Sequence, residues 1–190
     1  MKKVMFVCVL GLLVSSVHAQ ETYHGRLSKG EIIVETKAIK GSDIPEATVT
    51  AVIDAPPSKV WDLISECKNY KKTMIRVAKA QEISRNGKEV VCQVTTAMPW
   101  PISDLTAKTK ATHKVGPPVW SREWQLIEGD FESNVGSWRI QSFDIENTRS
   151  LVVYKVHAVP DLSVPDALIK KAQKDTLPDL IKHIRKQVSK

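Results

Sequence analysis

Hydrophobic and polar positions alternate with a period of two along most of this chain, which predicts strands, and recur every three to four residues in a few stretches, which predicts helices. Ala47–Ile53 sets Val and Ile against Thr and Ala, then meets Pro56-Pro57, which ends a ladder and favours the first turn of a helix. Val60, Trp61 and Ile64 fall on one face, so a helix packed by that face is expected over 58–64. A second short helix is expected to include Asn69–Met74. From Val77 the period returns to two. Val77–Ile83 and Glu89–Met98 flank Arg85-Asn86-Gly87-Lys88, a hairpin turn with Asn-Gly at its centre. Leu105–Val115 is the most informative strand: Lys108, Lys110 and Lys114 point one way, and Leu105, Ala107, Thr109, Ala111 and His113 point to what must be the interior. Trp120–Glu128 and Val135–Phe143 read as a hairpin across Glu128–Asn134, Ser150–Val159 as the last strand, and Glu31–Ala38 as a short first one. The expectation is an α+β domain with about seven strands in antiparallel succession and two short helices after the early strands.

The C-terminal segment has a different texture. Ser163 is placed to cap a helix whose first turn holds Pro165 and Asp166. Leu168, Ile169, Ala172, Leu177, Leu180, Ile181, Ile184 and Val188 form its apolar stripe, and Pro178 is expected to kink or divide it. The other face carries Lys170, Lys171, Lys174, Lys182, Arg185 and Lys186. Only the sheet can cover so long an apolar stripe, so a curved sheet wrapped around a long C-terminal helix is expected, with an apolar interior between them. Small side chains at Ala107, Thr109 and Ala111 can leave that interior open as a ligand cavity. The competing expectation is a solid core plugged by Trp100, Trp124, Trp138 and Phe143.

The N-terminus bears on where this domain works. Met1-Lys2-Lys3, the apolar run Val4–Val14 and the small residues ending at Ala19 compose a secretory signal, 1–19, cleaved after Ala19. The run is shorter than the about 20 apolar residues of a membrane-spanning helix. Export to a periplasm or to the outside is therefore expected, with a flexible lead-in over 20–30 and a single domain over 31–190. Without Lys2 and Lys3 the chain has 26 basic and 21 acidic residues, a net +5. That excess does not point to nucleic acid, and it is compatible with transient contact with an anionic membrane surface. Cys67 and Cys92 either pair, as an exported compartment permits, or remain two buried thiols.

Several segments together carry a resemblance: Asp-Ala-Pro-Pro-Ser-Lys-Val-Trp-Asp-Leu-Ile (54–64), Asn69-Tyr70-Lys71, Met98-Pro99-Trp100-Pro101-Ile102-Ser103-Asp104, Gly136-Ser137-Trp138-Arg139-Ile140, and Tyr154–Pro160 followed by Leu162-Ser163-Val164-Pro165. In this order, over roughly residues 30 to 188, the chain resembles START-like domains of the START and polyketide-cyclase-like superfamily. The resemblance implies a helix-grip fold holding a lipid or other hydrophobic molecule between sheet and terminal helix. Sterol, quinone, fatty acid, phospholipid and polyketide are all ligands to be considered. Related domains often carry an Arg-Asp pair after the Trp-Pro segment; here Ser103 precedes Asp104 and the arginine is missing.

Ligand contact is accordingly expected from Leu105, Ala107, Thr109, Ala111 and His113, from Val94, Thr96 and Met98 on the preceding strand, and from Trp124 and Trp138. Trp100, held between two prolines, is a candidate for the rim of an entrance, and Leu168 and Ala172 for the cavity floor. Trp61 is expected to be a core anchor between helix and sheet. The chain has no phosphate-binding glycine loop, His-Glu-x-x-His or dense Cys/His cluster, so no cofactor and no metal are expected. His113, His157 and Asp104 are the acid–base candidates of a cyclase-like enzyme; a filled core would instead suit a protein-interaction module. The leading expectation is noncovalent binding of a hydrophobic small molecule by a monomer.

Overall fold

The computed structural model describes residues 23–100, 102–162 and 166–189, with side chains of the last stretch from 175 onward. The expected signal 1–19, Pro101, Ser163 and Pro165 lie outside the described residues, as do the side chains of Leu168 and Ala172. The described chain opens with helical residues 23–28 (α1). There follow β1 (Ile33–Ile39), β2 (Ser42–Ile53), α2 (Pro57–Ser65), a 3-10 turn (Cys67–Asn69) and α3 (Tyr70–Thr73). Six strands come next: β3 (Val77–Asn86), β4 (Glu89–Thr96), β5 (Leu105–Lys114), β6 (Val119–Gly129), β7 (Phe131–Ser142) and β8 (Ser150–Pro160), before α4 (Asp166–Val188). The strands form one eight-stranded antiparallel sheet in the order β1-β2-β8-β7-β6-β5-β4-β3.

The sheet thus has eight strands where about seven were expected, because every alternating run pairs, including the short first one. β2 begins five residues before Ala47; this extension pairs with β1 and not with β8, so the missing N–H of Pro45 interrupts no central ladder. The β3–β4 turn is centred one residue later than expected, on Gly87-Lys88. The β6–β7 turn is far tighter than the expected 128–134 loop, since β7 starts at Phe131. Gly129 makes that possible. It has φ +136°, and a Cβ there would strike the Thr106 carbonyl oxygen and lie 2.9 Å from Ala107 Cα. Asp130 then donates its N–H to Thr106 O and accepts the Thr106 N–H on Oδ2, both at 2.8 Å.

Side chains on the inner face follow from register. Val90, Cys92, Val94 and Thr96 of β4 stand opposite Ala111, Thr109, Ala107 and Leu105 of β5. Ala47, Val49, Ala51 and Ile53 of β2 continue the face, and Ile140 and Val152 close its centre. Against them lie Val60, Trp61 and Ile64 of α2 and Leu177, Leu180, Ile181 and Ile184 of α4, all buried. Each such aliphatic side chain contributes roughly 1.5–3 kcal/mol by leaving water. Trp61 is the expected anchor between helix and sheet. Pro178 does not divide α4, which runs through it as one helix whose apolar face is held by the sheet. Arg185, expected on the outward basic face, instead donates from Nε and Nη2 to Val52 O at 3.1 and 2.7 Å and from Nη1 to Gly30 O at 3.0 Å.

The expected flexible lead-in is in part a packed element. Leu27 of α1 is 2% exposed in a second cluster with Ile33 and Val52, on the opposite face of the sheet from α4. Phe143, expected to plug the interior, belongs to this outer cluster and stacks on His24 with ring centroids 4.5 Å apart.

Cys67 and Cys92 are paired in a disulfide, Cα atoms 6.3 Å apart, which ties the turn after α2 to the middle of β4. The bond spans a sequence separation of 25, and a cross-link of that length restricts the unfolded chain by about 3.5 kcal/mol in the chain-entropy account. Replacing both cysteines by alanine is expected to lower unfolding free energy by about 3 kcal/mol, and reductant to lower that of the unaltered protein comparably while leaving the variant unchanged. Urea unfolding with and without reductant checks this; identical midpoints in all four conditions would contradict it.

Candidate ligand cavity

Sheet, α4 and the segment after α2 border a cavity of about 260 Å³ that opens to solvent. Val94, Thr96, Ala107 and Thr109 of β4 and β5 form one wall, and Arg122, Trp124, Asn134, Trp138 and Tyr154 of β6, β7 and β8 another. Thr176, Leu177 and Leu180 of α4 close it on one side, and Tyr70, Met74, Ile75, Arg76 and Val77 on the other. Arg76 is exposed and so marks where the cavity reaches solvent. The space persists because the strand residues nearest it are small and because the large rings stack on one another instead of filling it. Tyr154 lies 4.3 Å from Trp138 and 5.9 Å from Trp124, centroid to centroid. The Trp124 ring lies directly over Gly136, where any Cβ would collide with it, and its Nε1–H donates to Asn134 Oδ1 at 3.0 Å.

The polar centre of the site is Arg122. Its register opposite His113 and Trp138 turns it inward, where it is 3% exposed. Nη1 lies 2.5 Å from His113 Nε2, Nη2 donates to Cys92 Sγ at 3.4 Å, and the guanidinium carbon is 5.8 Å from the Tyr70 ring centroid. The Tyr70 hydroxyl in turn donates to Ile64 O at 2.7 Å. Burial and the adjacent Arg122 charge hold His113 down to a pKa of about 4, so it is a neutral acceptor for the arginine. Burial likewise pushes the hydroxyls of Tyr70 and Tyr154 upward, keeping both protonated. The nearby carboxylates are engaged elsewhere: Arg85 binds Glu82 through Nε and Nη2 at 3.0 and 2.7 Å and reaches Glu66 at 3.1 Å.

Of the residues expected at the site, Val94, Thr96, Ala107, Thr109, Trp124 and Trp138 line the cavity. Leu105 and Ala111 have the expected inward facing but lie outside its lining, in the packed interior. Met98 follows the end of β4, its N–H bonded to Asp104 Oδ1 at 3.1 Å, and is not part of the lining. Trp100 is 93% exposed and is not part of the cavity lining. His113 is behind the lining, edge-on to Trp61 at 5.1 Å, and meets the cavity only through Arg122. Sequence reasoning missed Arg122, Tyr70, Met74, Asn134 and Tyr154 as lining groups. Register against the lysine-marked strand is the signal that locates Arg122: counted from His113 across the β5–β6 turn, it shares His113's face.

The three acid–base candidates are apart. His157 is on the outer face, within 3.1 Å of Ser42 Oγ and Ile44 O and 3.2 Å of Ser133 Oγ. Asp104 precedes β5 and His113 is near its far end, nine residues on, a span of roughly 30 Å at strand rise.

The sequence profile of the family described as polyketide cyclase / dehydrase and lipid transport matches residues 53–185. No curated protein was found to match the chain by sequence. In structure the chain is similar to a STAR-related lipid transfer protein from Xanthomonas axonopodis, with TM-score 0.74 and 18% identity over 84% of this chain and 94% of that one. It is similar to human StAR-related lipid transfer protein 5, with TM-score 0.73 and 13% identity over 94% and 96% of the two chains. The Zhui aromatase/cyclase from Streptomyces sp. R1128 is similar at TM-score 0.60 and 11% identity, over 76% of this chain and 93% of that one. These likenesses establish the helix-grip fold.

Because His113 is held neutral when folded and titrates near 6.5 when unfolded, the unfolded chain binds the extra proton between those values. This contribution to stability is fully present above pH 6.5 and is lost as pH falls toward 4. Urea midpoints should fall over that window, and His113→Gln should flatten the fall. An imidazole signal of His113 titrating near 6.5 in the folded protein would contradict the assignment.

Proposed function

We propose, on the premise that this chain belongs to the polyketide cyclase / dehydrase and lipid transport family, that it binds a hydrophobic small molecule noncovalently in the cavity and carries it between membranes or partners. The observation that carries this reading is the cavity itself: a space between sheet and α4 that opens to solvent at Arg76 and is walled by Trp124, Trp138, Leu177 and Leu180. Apolar ligand surface entering it gains roughly 25 cal/mol per Å² before the costs of association. At about 260 Å³ the cavity is small beside the roughly 300–1,000 Å³ of common ligand sites, which suits one chain or a compact ring system better than a two-chain lipid.

Transfer is favoured over catalysis by the separation of His113, His157 and Asp104, which share no substrate position. The cyclase reading draws on the likeness in fold to an aromatase/cyclase and would need another set of acid–base groups. An exported location, periplasmic or secreted, is supported by the signal-like residues 1–19 and by the Cys67–Cys92 disulfide, which an oxidising compartment preserves. The exposed Trp100 supports transient contact with a membrane surface, where an indole sits readily at the headgroup level. The working unit is proposed to be a monomer.

Native mass spectrometry of the protein purified from its own compartment is expected to show one bound hydrophobic molecule, and N-terminal sequencing to begin at Gln20. An empty protein that takes nothing from a total lipid extract would overturn the binding reading, and retention of Met1 would overturn processing. Ala107→Trp, which places an indole in the cavity wall, is expected to weaken binding at least about 10-fold while the protein stays folded, since overpacking typically costs about 1–3 kcal/mol.

A further inference from the structure

Among the described residues, the cavity wall contains two arginines, Arg76 and Arg122, and no aspartate or glutamate. Arg76 is exposed at the mouth, where water screens it, but Arg122 is buried. A guanidinium taken out of water needs an opposite charge and full hydrogen bonding to be tolerated. Among the described residues, the groups against Arg122 are neutral: the His113 ring, the Cys92 sulfur of a disulfide, and Tyr70 through its hydroxyl and ring face. Glu82 is close enough for Arg122 to stabilise its charge, yet both its oxygens are bound by Arg85, and Glu66 is shared between Arg85 and Lys68. Arg122 has five N–H donors arranged for bidentate contact with an oxyanion, and His113 and Cys92 account for two of them.

Building on the binding function proposed above, we infer that the cavity selects a hydrophobic acid, whose oxyanion pairs with the Arg122 guanidinium while its apolar body lies between Trp138, Leu177 and Leu180. His113 acts as a positioning residue. Held on β5 by its N–H to Lys88 O and edge-on to Trp61, it accepts one Nη1 proton and fixes the guanidinium plane. A neutral ligand of the same shape would fill the same apolar space and leave Arg122 without a counter-charge. The acid group is a carboxylate or a phosphate monoester, and Arg122 can meet either.

The test compares laurate, monododecyl phosphate and dodecanol by calorimetry at neutral pH, on the unaltered protein and on Arg122→Met and Arg122→Lys. One or both acids are expected to bind roughly 10- to 100-fold tighter than the alcohol, the range of a charge-assisted pair. The tighter acid identifies the head group. Arg122→Met should abolish the acid-over-alcohol preference, read as the ratio of the two affinities on that variant; Arg122→Lys should keep part of the preference. Where Arg122→Met fails to fold, the unaltered protein still tests the preference for an acid, and Arg122→Lys tests the residue. Dodecanol binding as tightly as both acids, or an acid preference that survives Arg122→Met, would overturn this inference and leave the binding reading standing. If none of the three ligands binds, this inference falls, and the binding reading is decided by the lipid-extract experiment above.

Discussion

The rest of the domain depends on the C-terminal part of α4, from 175 onward, lying over one side of the sheet rather than along its middle. Its described contacts with strands are concentrated on β2 and β1, at one end of the strand order. The cause is local. β2 presents Ala47 and Ala51 inward, two small side chains that let Ile181 and Ile184 approach closely, and Arg185 fastens the helix end to the Val52 carbonyl. The described part of α4, from 175 onward, does not by itself cover β4 to β6. That remaining inner surface is roofed by α2, the 3-10 turn and α3, which meet the sheet through Trp61 and Tyr70 and leave the cavity where the two coverings fail to join. The site is therefore a consequence of where the core stops.

Within that space the electrostatics are one-sided. Arg122 is 3% exposed, so each interaction there is stronger than on the surface, and each missing one costs more. Neutral His113 is part of the same arrangement: its lone pair receives the guanidinium, and its charge is suppressed because two cations cannot share so dry a place. The carboxylates that would normally answer an arginine are held on the rim by Arg85. A polar cluster of this kind specifies orientation, whereas the tryptophans and leucines supply the driving force for burial.

How much of this was legible in the sequence varies by element. The β5 face was readable because lysines occupy three of its outward positions, 108, 110 and 114, so Ala107 and Thr109 could be assigned without knowing any neighbour. β6 offered no such contrast: Trp120, Arg122 and Trp124 share one face with polar Ser121 and Glu123 on the other, and an arginine between tryptophans reads as solvent-facing until its pairing with His113 is known. His113 and His157 looked equivalent as isolated histidines, and only register separates them, one inward and one outward. Trp100 looked like a rim residue because its prolines restrict it, but a restricted backbone does not say which way a loop leaves the sheet. The packing of α1 depended on an outer apolar patch assembled from Ile33, Val52, Phe143 and Leu151, on four strands or strand ends that no local pattern connects.

The disulfide links these themes. Cys92 Sγ lies 3.4 Å from the Arg122 guanidinium. A free thiol in that position, beside a buried cation, would be driven toward its thiolate, and the thiolate would be the counter-charge that Arg122 otherwise lacks. Oxidation removes that option: the sulfur bonded to Cys67 is neutral, and the arginine's charge is left facing the cavity. The same bond fixes the start of the segment that carries Tyr70 and Met74 into the wall. Pairing Cys67 with Cys92 thus shapes the cavity and sets its charge in one step, which joins the chemistry of the site to the compartment in which such a bond is kept.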